Sequence, residues 1–443
     1  MNKSEIISYL TQYMRNLDNF DHFSGCVLAA YQGEVLLSKG YGTANRTFEV
    51  PNSPSTRFPI GSLTKSFTAA AILRLEEQGL LNMEDSVQWH LPGCSSLINV
   101  TLHHLLSNTS GIPDFAAQPD YWEKHMRLPA TVSQLIERIV NQPLHFEPGS
   151  QYSYSNSNYI ILTAVIETVS GQSYSSFIQK EWLKPLGLHD SGVLDGRTIV
   201  KNLATGYSID KVIIYSEYID MSFPLGAYGM YSTVKDLFTW TEALFSGRML
   251  TERSLKKMCT PYKGKYGYGW GFDKLSEREV VCHFGDVNGF CSEMLRSLDG
   301  DVTVIVLSNF NITPVTRINR DLAAILCNER EDTTPWIMDE PLYASLPFDF
   351  QGTYYSEDGE ALITLYREGS TYFMTLPKRY GVVYTLPVKQ ISSSSSSVLM
   401  ISSNTPESIQ IIKEDNKLFI HHHDSDGTIK TLTRAEECKK KQP

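Results

Sequence analysis

The 443-residue chain has no uninterrupted apolar run approaching the roughly 18 residues expected of a membrane-spanning helix. Basic clusters are scarce: the longest is Lys439-Lys440-Lys441, in a chain with 39 Lys and Arg against 49 Asp and Glu. The resulting net charge of −10 and a pI near 5.6 argue against a nucleic-acid backbone or an anionic membrane as partner. Cysteine is sparse and irregular. Seven residues, an odd number, fit reduced thiols better than a disulfide framework. The first twenty residues place Ile6, Ile7, Leu10, Met14 and Leu17 at helical spacing, interrupted by charges, and so lack the continuous apolar stretch of a secretory leader. A cytoplasmic location is expected. No internal repeat is evident.

What is present is ample core material, 42% hydrophobic and 11% aromatic, enough for more than one domain. "FSGCVLAAYQGEVLLSKGYG", from Phe23, reads as two strands around a Gln32-Gly33 turn, and a helix begins near Ser62. Helical periodicity dominates from about 100 to 260, in "TVSQLIERIVNQ" and "YIILTAVIETVSGQSYSSFIQKEWL". Strand-like runs then return in "YGYGWGFDKL", "EREVVCHFGDV", "GFCSEMLRSL" and "DVTVIVLSNF", followed by a helix over 315–329. Strands at both ends with helices between them predict an α+β layer with one sheet built from distant segments. The charged, Pro-containing stretch 331–345 reads as a linker between residues 1–330 and a second region, 346–443. In that region short alternating runs separated by turn residues predict a small all-β barrel or sandwich. The serine run Ser392–Ser397 reads as a flexible loop edge.

Ser62 and Lys65, in "PIGSLTKSFTAA", sit one turn apart at the start of a helix whose face carries Phe67, Ala70, Leu73 and Leu80. A Ser there is also accounted for as a cap, and Ser-x-x-Lys recurs at Ser208/Lys211, Ser232/Lys235 and Ser254/Lys257. The context of Ser62 sets it apart. A cation against apolar surface must find partners or lose its proton, and a hydroxyl one turn away is a natural partner. An activated Ser also needs a proton acceptor and two donors for a developing oxyanion. Two stretches offer such groups: Tyr154-Ser155-Asn156, before the apolar run 159–166, and His283-Phe284-Gly285, at a strand end with Gly289 permitting a close turn.

These three elements, in this order and at these separations, resemble the penicillin-recognising serine hydrolases, which include class C β-lactamases, D,D-peptidases, D-aminopeptidases and esterases. "LLSNTSGIPDF" (105–115), "KPLGLHDSG" (184–192) and "GAYGMYSTVKDLFTW" (226–240) match the style of that family, and the resemblance covers residues 20 to 330. It implies a β-lactamase-like sheet flanked by helices with a helical subdomain, followed by a lipocalin-like or barrel domain. It implies further that Ser62 is acylated, that Lys65 lowers its proton affinity, and that Tyr154 is the general base. Asn156 would hold the substrate's amide carbonyl, His283 and Gly285 would lie along the substrate, and the N–H groups of Ser62 and Asp286 would form the oxyanion hole. No metal or organic cofactor is expected.

His283 stands where many relatives have Lys in Lys-Thr-Gly, so its contribution is expected to vary with pH. The H-x-G form resembles the peptidase and esterase branches. The expected substrate is a small peptide or amide with a D-configured residue. Carboxylesterase, β-lactamase and a ligand-binding protein without turnover are the alternatives, the last supported by Tyr228 where relatives often carry Gly. A homo-oligomer is kept open. Cys282 and Cys291 read as small core residues, and His421-His422-His423 as an exposed strand end whose alternation prevents three side chains from sharing one ion.

Overall fold

The computed structural model describes residues 2–19, 21–329, 347–356, 362–379, 382–415, 417–424 and 428–434. The linker expected over 331–345 lies outside them. Helix α1 (Lys3–Asn19) leads into the hairpin β1 (Gly25–Tyr31) and β2 (Glu34–Tyr41), which turns at Gln32 and Gly33 as the sequence indicates. Helices α2 (Thr64–Glu77) and α3 (Asn156–Ser170) follow. A short hairpin, β3 (Tyr207–Asp210) and β4 (Val212–Tyr215), precedes the single turn α4 (Leu225–Tyr228) and α5 (Val234–Phe245). A meander of β5 (Gly271–Leu275), β6 (Arg278–Val287), β7 (Phe290–Ser297) and β8 (Val302–Ser308) ends in α6 (Val315–Cys327).

The strands β5-β6-β7-β8-β1-β2 form one antiparallel sheet. Its halves come from opposite ends of this region and are joined along β1 and β8, from Gly25↔Ser308 to Tyr31↔Val302. Alternation along these strands sorts apolar residues to two covered faces. Val27, Ala29, Val304 and Val306 meet α1 and α6 on one face, where Ile6, Leu10, Met14 and Leu17 form the helical stripe read from the sequence. The Tyr13 hydroxyl donates to Asp321 across those two helices at 2.7 Å. Leu28, Met294, Ile305 and Leu307 face α2 and α5 on the other side.

Helix α2 differs from expectation. It is buried all round from Thr64 to Leu73, and Leu80, expected on its inner face, lies beyond its end and is half exposed. A helix buried on every side belongs to an interior, and the run Ala69-Ala70-Ala71 is small enough for neighbours to pack on both flanks. Phe67 stacks on Trp240 of α5 with centroids 3.8 Å apart.

The C-terminal strands β9 (Gly352–Tyr355), β10 (Leu362–Glu368), β11 (Thr371–Arg379), β12 (Val382–Ser393), β13 (Ser397–Ser402), β14 (Ser408–Glu414), β15 (Lys417–His423) and β16 (Ile429–Arg434) each pair antiparallel with the next. β16 pairs back onto β9 through Tyr354↔Arg434, closing an eight-strand barrel and removing its edges. Tyr354, Leu365, Met374, Leu386, Met400, Ile411 and Ile420 fill it.

Two local readings change here. The serine run is a tight hairpin, with Ser392 and Ser393 ending β12, Ser397 opening β13, and Ser394 N–H donating to Ser397 O at 2.8 Å. His422 is buried and bonded to Glu407 at 2.8 Å, while His421 meets Thr431 at 2.9 Å, so alternation splits the triplet between the two sides of the wall. The barrel is joined to the first region by a parallel contact of β12 with β3, Thr385↔Asp210, where Lys211 N–H donates to Thr385 O at 2.8 Å.

Because Phe67 is fully buried against Trp240, Phe67→Ala leaves a cavity between α2 and α5. The expected loss is about 3–5 kcal/mol, read as a lower urea midpoint in tryptophan fluorescence; an unchanged midpoint would contradict the packing described.

Candidate active site

Ser62 does not cap α2. It lies in a tight turn, Gly61–Leu63, ahead of the helix, and its side chain makes no capping bond. Two glycines create this geometry. Gly61 has φ +54°, in the left-handed region, and a Cβ there would fall 2.5 Å from Asp286 N. A Cβ on Gly285 would fall 2.3 Å from Ile60 O and 3.0 Å from Ser62 N. The turn and β6 therefore approach backbone to backbone, which brings the N–H groups of Ser62 and Asp286 into one neighbourhood. The contact is anchored by Ser292, whose hydroxyl donates to Ile60 O at 2.9 Å.

Lys65, fully buried, has three neighbours within bonding reach of Nζ: Ser62 Oγ at 3.0 Å, Asn156 Oδ1 at 2.8 Å and Ala227 O at 2.8 Å. Burial lowers its pKa to about 7, against the opposing pull of Asp114 and Asp286. A neutral amine has two N–H groups and one lone pair. Asn156 Oδ1 and Ala227 O are obligate acceptors and take the two N–H groups, so the lone pair is left to face the Ser62 hydroxyl. The Ala227 carbonyl is held by neighbours of α4, where Thr68 Oγ1 donates to Gly226 O at 2.7 Å and Gly226 N–H donates to Thr163 Oγ1 at 3.2 Å.

Tyr154 stands just before α3, in a loop fixed by the connector at 105–115. Asn108 O accepts from Ser153 N–H, and its Oδ1 accepts from Ser155 N–H at 3.2 Å and from Asn158 Nδ2 at 2.9 Å. The phenol is raised well above its ordinary pKa by burial, and its hydrogen bond with Ser62 opposes that rise. Lys65 Nζ lies 4.9 Å from the Tyr154 ring centre. Ser62, Lys65 and Tyr154, separated by up to 92 positions, thus share one cluster.

His283 departs from the sequence reading. It is buried, its Nδ1 donates to Phe284 O at 2.6 Å and its Nε2 accepts from Tyr266 at 2.9 Å. Burial and the charge of Lys65 push its pKa down to about 3. It is neutral throughout the physiological range, so the expected pH-dependent cation on this strand is absent. Asn156 also differs: it is the first residue of α3, its Oδ1 accepts from Lys65, and its Nδ2 donates to Asp114 at 3.0 Å. One amide proton remains for a ligand.

Sequence reading missed Asp114. Its carboxylate accepts from the backbone and side chain of Asn156 and from Ala116 N–H, and burial raises its pKa. The available signal was its place in "TSGIPDF", as the residue capping a short turn. Tyr266 and Tyr121 were also missed. The Tyr228 and Tyr121 hydroxyls share a hydrogen bond at 2.9 Å and Tyr228 lies parallel to Phe115, so it forms part of an aromatic wall. A cavity of about 730 Å³ includes Ser62, Tyr154, Asn156, His283, Asp114 and this wall. Cys291 is buried as expected, whereas Cys282 is half-buried and lines the same cavity. Among the described residues no group of three His, Cys, Asp or Glu is arranged to hold a metal, and no helix is long and apolar enough to cross a membrane.

Comparison with known proteins agrees with this architecture. The Beta-lactamase family model matches residues 10–327. Penicillin-binding protein 4* of Bacillus subtilis (strain 168) is 31% identical over 324 residues, covering 68% of this chain and 71% of that protein. Protein flp of Staphylococcus aureus (strain MRSA252) is 31% identical over 331 residues, 71% of this chain but 65% of its own length, so the chain spans less than two thirds of that relative. The octameric penicillin-binding protein homologue from Pyrococcus abyssi superposes with a TM-score of 0.66 at 25% identity, covering 98% of this chain and 100% of that one. On the family match and these identities, the chain belongs to the Beta-lactamase family, a family of serine hydrolases with penicillin-binding-protein-like members.

Proposed function

We propose that the protein hydrolyses amide or ester bonds of small peptides or amides that contain a D-configured residue, through a Ser62 acyl-enzyme. The observation that carries the reading is the Lys65 amine, buried between two obligate acceptors and 3.0 Å from Ser62 Oγ. In the forward step Ser62 Oγ attacks the carbonyl carbon while its proton passes to Lys65 Nζ. The N–H groups of Ser62 and Asp286 receive the negative oxygen. Collapse breaks the bond to the leaving group, which takes its proton from the Tyr154 hydroxyl, and Tyr154 recovers it from Lys65. Water repeats the sequence to release the acid. This exchanges the roles expected from sequence: a phenol raised by burial is a poor standing base, whereas an amine near 7 is half neutral at physiological pH.

The neutral His283 supports amides and esters over substrates that carry a carboxylate beside the reacting carbonyl, since the strand offers no cation there. Tyr228 is bonded to Tyr121 in the aromatic wall, and the reading without turnover is separated by the labelling experiment below. Carboxylesterase action would use the same groups, and kcat/KM for p-nitrophenyl esters against D-aminoacyl amides separates the two. By analogy with the octameric Pyrococcus abyssi homologue, the chain is proposed to self-associate.

A fluorophosphonate is expected to label Ser62, detected by mass spectrometry of the modified peptide, and Ser62→Ala to abolish both adduct and turnover; labelling that survives the substitution would end the acyl-enzyme reading. Removing the base with Lys65→Ala should cost about 10²–10⁴ in kcat/KM. In the free wild-type enzyme Lys65 must be unprotonated, so kcat/KM should fall as pH drops through about 7. Asp114 raises the Lys65 pKa, so Asp114→Asn should move that acid limb to lower pH, and a limb that stays put or moves up would contradict the coupling.

A further inference from the structure

The cavity that holds Ser62 does not stop at the edge of the sheet. β5 covers β6 only as far as Gly271↔Cys282, and among the described residues no strand pairs with that side of 283–287. The cavity wall passes over this open stretch and continues behind it. There Cys282 and Phe284 of β6, Glu293 of β7, Thr316 and Arg320 of α6, and Tyr384 of β12 line the same space. Strand alternation accounts for the two lobes: His283 and Gly285 face the Ser62 turn, whereas Cys282 and Phe284 pack toward the face covered by α1 and α6.

Tyr384 is a residue of the barrel. It precedes Thr385, the point at which β12 is bonded to Lys211, so its position beside the cleft is fixed by a backbone bond between the two regions. The polar groups of the rear lobe have partners. Thr316 donates to Glu293 at 2.7 Å, and Arg320 is paired with Asp273. The rings of Phe284 and Tyr384 remain as its large apolar surfaces.

We propose that this rear lobe, walled by the barrel, is a specificity subsite for an apolar or aromatic side chain of a peptide substrate. The proposal rests on acyl transfer at Ser62. A peptide lying along the open edge of β6 as an added strand presents successive side chains to opposite faces. When one side chain lies in front, before Ser62, that of the adjacent residue passes over the edge toward Phe284 and Tyr384. Tyr384 is therefore a specificity residue supplied by the barrel, remote from the reacting atoms.

The test uses the full chain and three kinds of substrate: p-nitrophenyl acetate, which has no side chain to reach the rear lobe, and D-alanyl peptides with Phe or with Gly adjacent to D-alanine, on either side of the scissile bond. Wild type should favour Phe over Gly at one of the two positions by about tenfold or more in kcat/KM. Tyr384→Ala and Tyr384→Leu should lose most of that preference while turning over p-nitrophenyl acetate at the wild-type rate, and Tyr384→Phe should keep it. If Tyr384→Ala fails to fold, the Leu variant carries the comparison. Absence of a Phe preference in wild type, or a preference undiminished by both substitutions, overturns the subsite while leaving acyl transfer intact. Failure of wild type to hydrolyse the ester at Ser62 overturns the acyl-transfer reading and the subsite with it.

Discussion

A primary amine enclosed by protein must be satisfied atom by atom, and the site is organised around that demand. Lys65 has no access to water, so its hydrogen bonds must come from fixed groups: the side chain of Asn156, the carbonyl of Ala227 and the hydroxyl of Ser62. Each partner is then held by others. Asn156 is bonded to Asp114, α4 is bonded to Thr68 and Thr163, and Ser62 is positioned by a turn pressed against β6. The same enclosure that makes the charged amine unfavourable favours the neutral one, so the packing requirement and the proposed chemistry have one origin.

Where the sequence carried a periodic or motif signal, the structure follows it. The N-terminal stripe of Ile6, Leu10, Met14 and Leu17, the Gln32-Gly33 hairpin and the four strands after 270 are local patterns, legible from two-residue or helical spacing. The barrel strands were visible as short alternating runs, but their closure depends on β16 returning to β9, a contact between residues about 80 apart that no local pattern encodes. Similarly, the cluster of Ser62, Lys65 and Tyr154 could be inferred from three ordered motifs, because those motifs mark where the chain turns.

Burial and bonding partners were less legible. His283 looked like a group that titrates near neutrality because sequence alone does not show the enclosure that lowers its pKa. That Asn156 also holds Lys65 and Asp114 was not legible, because Asp114, 42 positions away, lies in a connecting stretch. The place of Tyr228 in an aromatic wall was not legible because its partner Tyr121 lies 107 positions earlier. Leu80 was assigned to an inner face because α2 was assumed to have an outer one. In each case the missing fact is the identity of a distant neighbour.

The hairpin of β3 and β4 serves two structures at once. Ile214 and Tyr215 stand at the rim of the cleft, while β3 continues the barrel's hydrogen-bonded surface through Asp210 and Thr385. One two-stranded element therefore ties the seating of the barrel to the residues that border the cleft, so the placement of either side constrains the other.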